Sequence, residues 1–243
     1  MNYHQPDNNF NHGNYGMNND SVSGLSLSKY TAKTFGWMFV GLMVTFVTAF
    51  FMAVSGLAIT VLSIPAMSII LCIAQVAVVI FLSAKINSIS AGAATSLFLA
   101  YSFLTGITFS SLFYSYGFGS VIGVFLLTSL YFGALSAFGY FTNVDLSKLG
   151  PLLMGGVIFL IISGVILIFI NIPILETMMC LAGIVIFLGM TAYDTQKIKQ
   201  QYYMFQGNQA MLGKASVISA LQLYLDFINL FIYLLRFMGN RND

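Results

Sequence analysis

The chain has 243 residues, 58% hydrophobic and only 7% charged, with a formal net charge of +2 and a mean hydropathy of +0.89. A soluble domain carries about 25% charged residues, so the polar surface is too small to cover a globule in water and the chain reads as an integral membrane protein. The small net charge and the lack of a basic cluster exclude nucleic acid as a partner; the lipid bilayer is the first partner implied.

Residues 1–24, "MNYHQPDNNFNHGNYGMNNDSVSG", are rich in Asn and Gly and poor in Leu, Ile and Val. They bury too little apolar area to offset chain entropy, so a disordered polar tail is expected over 1–27, followed by a membrane domain over 28–243. The first apolar run comes only after this polar stretch, and no secretory leader is expected. His4 and His12 both lie in the tail, which leaves the membrane domain without a histidine base or a histidine-based metal site. Cys72 and Cys180 lie inside apolar runs without a CxxC spacing and read as small core residues, not as a disulfide or a zinc site.

A helix needs roughly 20 apolar residues to cross a bilayer. Seven candidates stand in order along the chain: 35–55, 64–84, 93–114, 119–140, 150–170, 177–196 and 215–237. The runs are continuously apolar instead of alternating, which selects helices over a β-barrel. Glycines in "GALSAFG" (133–139) and "MGGVIFLIISG" (154–164) predict close helix–helix packing. Lys29, Lys33, Lys85, Lys148, Lys197, Lys199 and Lys214 all fall on the side of the N-terminus, which the positive-inside rule makes cytoplasmic. The connections 56–63, 115–118 and 171–176 on the other side hold no Lys or Arg and only Glu176. A full crossing by the last span puts Arg236 and Arg241 outside, against that rule, whereas a re-entrant segment returns them. The short C-terminal tail favours the full crossing.

The last span carries Ser219, Gln222, Asp226, Asn229, Tyr233 and Arg236 at steps of three and four residues, which is one face of a helix. A polar stripe in a membrane helix turns toward a bundle interior or a hydrated cavity. A carboxylate there costs several kcal/mol unless it is paired, protonated or hydrated. Gln and Asn alone would be enough to glue helices together; the ionisable Asp226 favours a pore-lining role for the stripe. Asp194 in "GMTAYDTQKIK" lies toward the cytoplasmic end of span six and is either the second member of a pair or an interfacial carboxylate held by Lys197 or Lys85.

"FLSAKIN", "LTGITFSSLF", "FGYFTNVDLSKLG", "GMTAYDTQKIK" and "LYLDFINLFIYLLRFMG" resemble the Bax inhibitor-1 family, in the wording of its bacterial members, from about Ser28 to the C-terminus. The resemblance implies an all-α membrane fold in which six helices surround a central seventh. It also implies a pH-sensitive calcium leak in the bacterial inner membrane, with Asp194 and Asp226 as sensor and gate. Lys85 is the candidate salt-bridge partner of an aspartate, although the family has Arg there and Lys lacks its bidentate fork. Residues 200–215 look like an extended loop beside the family pattern. Helical rise puts Asp194 roughly 5–10 Å and Asp226 roughly 15 Å inside the inner boundary, so their meeting requires a late or bent last helix or a cytoplasmic vestibule.

Two carboxylates close together in a poorly solvated site cannot both ionise cheaply and are expected to share a proton. The protonated pair would join helices six and seven; ionised, it would repel, or attract Ca²⁺ or Lys85. Asp194 and Asp226 with water, Tyr and carbonyl oxygens would form a weak transit site for calcium, which is the permeating ion and not a cofactor. No enzyme is expected. An intramembrane aspartyl protease carries Gly-x-Gly-Asp where this chain has Leu-Tyr-Leu-Asp, and a rhodopsin needs a lysine in its last span, where 215–237 has none. The competing reading is a membrane regulator that binds membrane proteases or cell-death or stress proteins, its ion flux incidental.

Overall fold

Polar caps and glycine breaks divide the apolar chain into helices. The computed structural model describes residues 25–86, 88–169 and 172–239; the tail 1–24 and Arg241 lie outside them. The helices are α1 (Leu27–Val54), α2 (Leu57–Leu62), α3 (Met67–Lys85), α4 (Ala91–Phe141), α5 (Gly150–Phe169), α6 (Pro173–Met204) and α7 (Gln209–Met238), with no strand among the described residues. Ser26, Ser90 and Asn208 start α1, α4 and α7 by accepting the amides of Lys29 (3.3 Å), Ala93 (3.1 Å) and Met211 (3.0 Å). Pro173 opens α6, where its missing N–H costs nothing. Before α5, Asp145 Oδ1 accepts the backbone N–H of Ser147 and its hydroxyl, which holds the Asp145 carboxyl below the usual carboxylate range.

Among the described residues, six helices are long and apolar enough to cross a membrane. One of them, α4, has 51 residues, about 75 Å of rise against a hydrocarbon layer of about 30 Å. It breaks at Gly117 (φ 73°, ψ 157°), a conformation closed to residues with a Cβ. The break falls inside the connection expected at 115–118, so the two expected spans 93–114 and 119–140 are the arms of one long element. α7 runs without interruption over 30 residues, as a full crossing requires. Residues 200–215 are not a loop: only 205–208 separate α6 from α7, with Gly207 at φ 93° turning the chain and Asn208 capping the start of α7.

Burial is uneven. In α7 67% of its most apolar stretch is buried, against 11% for α3 and 39% for α1. α7 packs against α1, α4 and α6, while α3 lies on α4 and α5 on α6. Glycine sets two of these approaches. A Cβ on Gly106 of α4 would stand 2.6 Å from Thr48 Cβ and 2.8 Å from the Thr45 carbonyl oxygen of α1. A Cβ on Gly139 would collide with the backbone of Ala192 in α6. Gly156 meets Ile186, but Gly133, Gly155 and Gly164 have open space beside them, so only part of the expected glycine packing occurs.

A buried polar knot ties α1, α4 and α7. Tyr224 Oη and Thr45 Oγ1 share a hydrogen bond (2.6 Å), and the Thr45 hydroxyl also lies within donating distance of the Ser102 (2.9 Å) and Gly41 (3.1 Å) carbonyls. The Tyr224 ring meets Phe98 and Tyr101 edge-on at 5.5 and 5.8 Å. Tyr224→Phe keeps those ring contacts and leaves Thr45 still satisfied by a carbonyl. It is expected to cost only about 1 kcal/mol, read as a small drop in the thermal midpoint in detergent.

Candidate functional site

α6 and α7 run antiparallel and meet in rungs seven residues apart. Phe187 stacks on Tyr233, with ring centroids 5.9 Å apart and planes at 24°. Seven residues along each helix, the carboxyls of Asp194 and Asp226 lie in hydrogen-bonding contact. Seven further, Ser219 Oγ donates to Gln201 Oε1. The spacing of seven is the repeat at which two helices keep one seam facing the other. Once Ser219 meets Gln201 and Tyr233 meets Phe187, Asp226 must fall level with Asp194. The expected late start of the last helix does not occur: α7 begins at Gln209, before the expected span 215–237, and it is the register of the seam that brings Asp194 and Asp226 level.

Asp194 and Asp226 are 5% and 3% exposed. Asp226 Oδ2 is buried without a hydrogen-bond donor from any amide, hydroxyl or ammonium group among the described residues. The group beside it is another carboxyl, so a hydrogen bond there requires a proton between the two. Lys197, one turn from Asp194 on α6, places Nζ 3.9 Å from Asp194 Oδ1 and 5.8 Å from the centre of the Tyr193 ring. At that distance, with the lysine one-third exposed, the ion pair is loose and reaches solvent. Lys85 is exposed at the end of α3 and forms no ion pair with a described residue. The cation beside the pair is thus Lys197 and not Lys85.

The pair lies on the wall of a cavity of about 310 Å³ between α3, α5, α6 and α7. Ser83, Gly150 and Lys197 line it toward the helix ends that carry the lysines, and Phe187 and Asn229 line it at the other end. Its ionisable lining groups are Tyr193, Asp194, Lys197 and Asp226; α3 and α5 contribute none. Of the expected stripe, Gln222, Asp226 and Asn229 face this cavity. Ser219 is taken up by Gln201, and Tyr233 by Phe187. Arg236 is exposed beside a second cavity of about 190 Å³ lined also by Thr108, Ser111 and Tyr116. No group of three or more His, Cys, Asp or Glu side chains converges among the described residues. Two carboxyls and two amide side chains, those of Asp194, Asp226, Gln222 and Asn229, present oxygen atoms to this cavity.

Phe187 and Gln201 were not singled out from the sequence. Their signal was available: each stands seven residues from Asp194, on the face that must meet the polar stripe.

A family model described as "Inhibitor of apoptosis-promoting Bax1" matches residues 27–243. The inner membrane protein YbhL of Escherichia coli K12 is 42% identical over 217 residues, covering 88% of this chain and 93% of that protein. A protein of Borreliella burgdorferi described as uncharacterized is 38% identical over 217 residues, covering 89% of this chain and 94% of its own length. The protein RP147 of Rickettsia prowazekii is 45% identical over 147 residues, 60% of this chain and 62% of that one.

Proposed function

The chain belongs to the Bax inhibitor-1 family, and from that premise we propose that it is a pH-sensitive calcium leak of the bacterial inner membrane, gated by Asp194 and Asp226. The observation that carries this reading is the contact between the two buried carboxyls on the wall of a polar cavity. At acid pH one proton held between them supplies the hydrogen bond that Asp226 Oδ2 lacks and joins α6 to α7. When the proton leaves, two negative charges face each other where screening is weak. The helices then part at this rung, or a cation enters between the carboxylates. Calcium is the cargo. A site with two carboxylates and neutral oxygens holds it too weakly to trap it, as conduction demands.

In this reading the two arms of α4 cross separately, so the chain crosses seven times around a largely buried α7. The lysine-bearing ends face the cytoplasm, which makes the cavity a cytoplasmic vestibule. Purified protein in liposomes holding a calcium indicator tests the proposal without any partner protein. Faster efflux at alkaline than at acid pH is expected. Efflux equal to that of empty liposomes at every pH would leave the regulatory reading in its place.

The lysines give a sharper test. Lys197→Gln removes the positive charge nearest the ionised pair and is expected to move the flux response to higher pH. Lys85→Gln is expected to leave the curve where it is, because its ammonium does not meet either carboxylate. Flux–pH curves at matched incorporation decide this, and a shift for Lys85→Gln alone would overturn the assignment.

A further inference from the structure

The vestibule between α3, α5, α6 and α7 holds the aspartate pair. Phe187 and Asn229 line its inner end, and one turn beyond Asn229 the polar stripe of α7 is interrupted by the Tyr233 ring. That ring stacks on Phe187 and sits so close over Gly183 that a Cβ there would be 2.6 Å from its carbons. Three residues further, Arg236 borders the second cavity, of about 190 Å³, at the opposite end of α7. The polar positions are therefore continuous along α7 except at one aromatic rung, which lies a single seven-residue step from the aspartates.

We propose that the Tyr233 ring, seated on Phe187 and Gly183, is the barrier that closes the vestibule toward the opposite membrane face, with the aspartate pair acting on it through the shared α6–α7 seam. The flux part of this inference rests on the calcium-leak reading; the barrier itself does not. A stacked ring filling the space above a glycine excludes water and ions by its bulk and dryness, as hydrophobic constrictions do. Holding Asp194 to Asp226 keeps the neighbouring rung shut, because rungs seven residues apart on two stiff helices separate together. Gly183 is required there, since any side chain would displace the ring. The phenol oxygen has no part in this, so the ring and not its hydroxyl sets the barrier. Cys180 and Arg236 are the ionisable groups that act on Tyr233, and Lys197 and Tyr193 line the cavity beside the pair.

The test compares Tyr233→Ala, Tyr233→Phe and Gly183→Ala in the full chain. Tyr233→Ala is expected to raise calcium efflux at acid pH by about tenfold, toward the alkaline level, and so to flatten the pH profile. Gly183→Ala, which dislodges the ring without removing it, changes flux in the same direction, and Tyr233→Phe tracks the wild type. A second readout does not depend on calcium. In a background with Cys72→Ser and Cys180→Ala, Asn229→Cys is exposed to a membrane-impermeant methanethiosulfonate from the face opposite the lysines. Labelling is expected to be slow with Tyr233 and about tenfold faster with Tyr233→Ala. Equal labelling rates in the two backgrounds would overturn the barrier, as would an unaltered acid-pH flux in Tyr233→Ala alongside an active wild type. Faster labelling in a protein that conducts no calcium in any form upholds the barrier and removes the calcium reading instead.

Discussion

Asp226→Asn is expected to abolish the pH dependence of calcium efflux while leaving the fold intact. The amide has the size of the protonated acid, and its Nδ2 can donate permanently to the Asp194 carboxylate across the rung. The α6–α7 contact then persists at every pH, so flux stays at the level the wild type shows in acid. Asp194→Asn is expected to behave in the same way, since either residue can supply the hydrogen that the shared proton otherwise provides. The double variant is expected to add little to either single one, because one interaction cannot be broken twice. Efflux from liposomes across pH 5–8 reads all three. A wild-type profile in Asp226→Asn, or additive effects in the double variant, would mean that the two carboxyls do not act together.

Gly139→Leu is expected to have the largest effect on stability among these substitutions. The α4–α6 crossing brings the backbone of Ala192 into the space that any side chain at position 139 would need. Backbone cannot swing aside as a flexible side chain does. The helices must move apart, and the contacts around the crossing go with them, including the Lys199 Nζ hydrogen bond to the Tyr140 carbonyl (2.6 Å). Overpacking of this kind costs about 1–3 kcal/mol for a few added methylene groups and more where the obstacle is rigid. Thermal unfolding in detergent measures it, with Gly133→Leu as the control. Position 133 has open space beside it, so the control is expected to melt near the wild type. Equal losses from both substitutions would show that bulk anywhere on α4, and not this crossing, is the cause.

Much of the fold was legible because the membrane imposes a coarse rule. A segment in hydrocarbon must satisfy its own backbone and be apolar over its length, so uncharged runs announce the helices without any knowledge of their neighbours. The expected spans coincide with the observed helices to within several residues, and the division of α4 at Gly117 was implied because no helix of its length fits one bilayer. Outside the hydrocarbon that rule has no force, so residues 200–215 read as loop although most of them are helical. There the helix ends are set by a cap at Asn208 and a turn at Gly207, local signals that polar composition obscures.

The candidate site divides along the same line. The six-residue stripe of α7 and the carboxylate within it came from periodicity, which is a property of one helix alone. Which part of the stripe meets which neighbour did not. Gln222 and Asn229 reach the cavity, Ser219 is consumed by Gln201, and Tyr233 lies on Phe187. Lys85 and Lys197 both stand at helix ends on the lysine-bearing side, and charge type cannot rank them. The structure makes the choice: one turn of α6 sets Lys197 Nζ 3.9 Å from Asp194 Oδ1, whereas Lys85 is exposed at the end of α3 and makes no ion pair with a described residue.

The sequence by itself thus determined that the protein crosses a membrane, roughly where its helices run, and that α7 hides a polar face with an ionisable residue. Each of these comes from the free energy of placing single side chains in hydrocarbon. Only the tertiary structure decided that Asp194 and Asp226 are level, that Lys197 attends them, and that Tyr233 stacks on Phe187 one rung further along the seam. Those depend on the register of one helix against another, and register comes from interlocking side chains and backbone contacts spread along the whole seam.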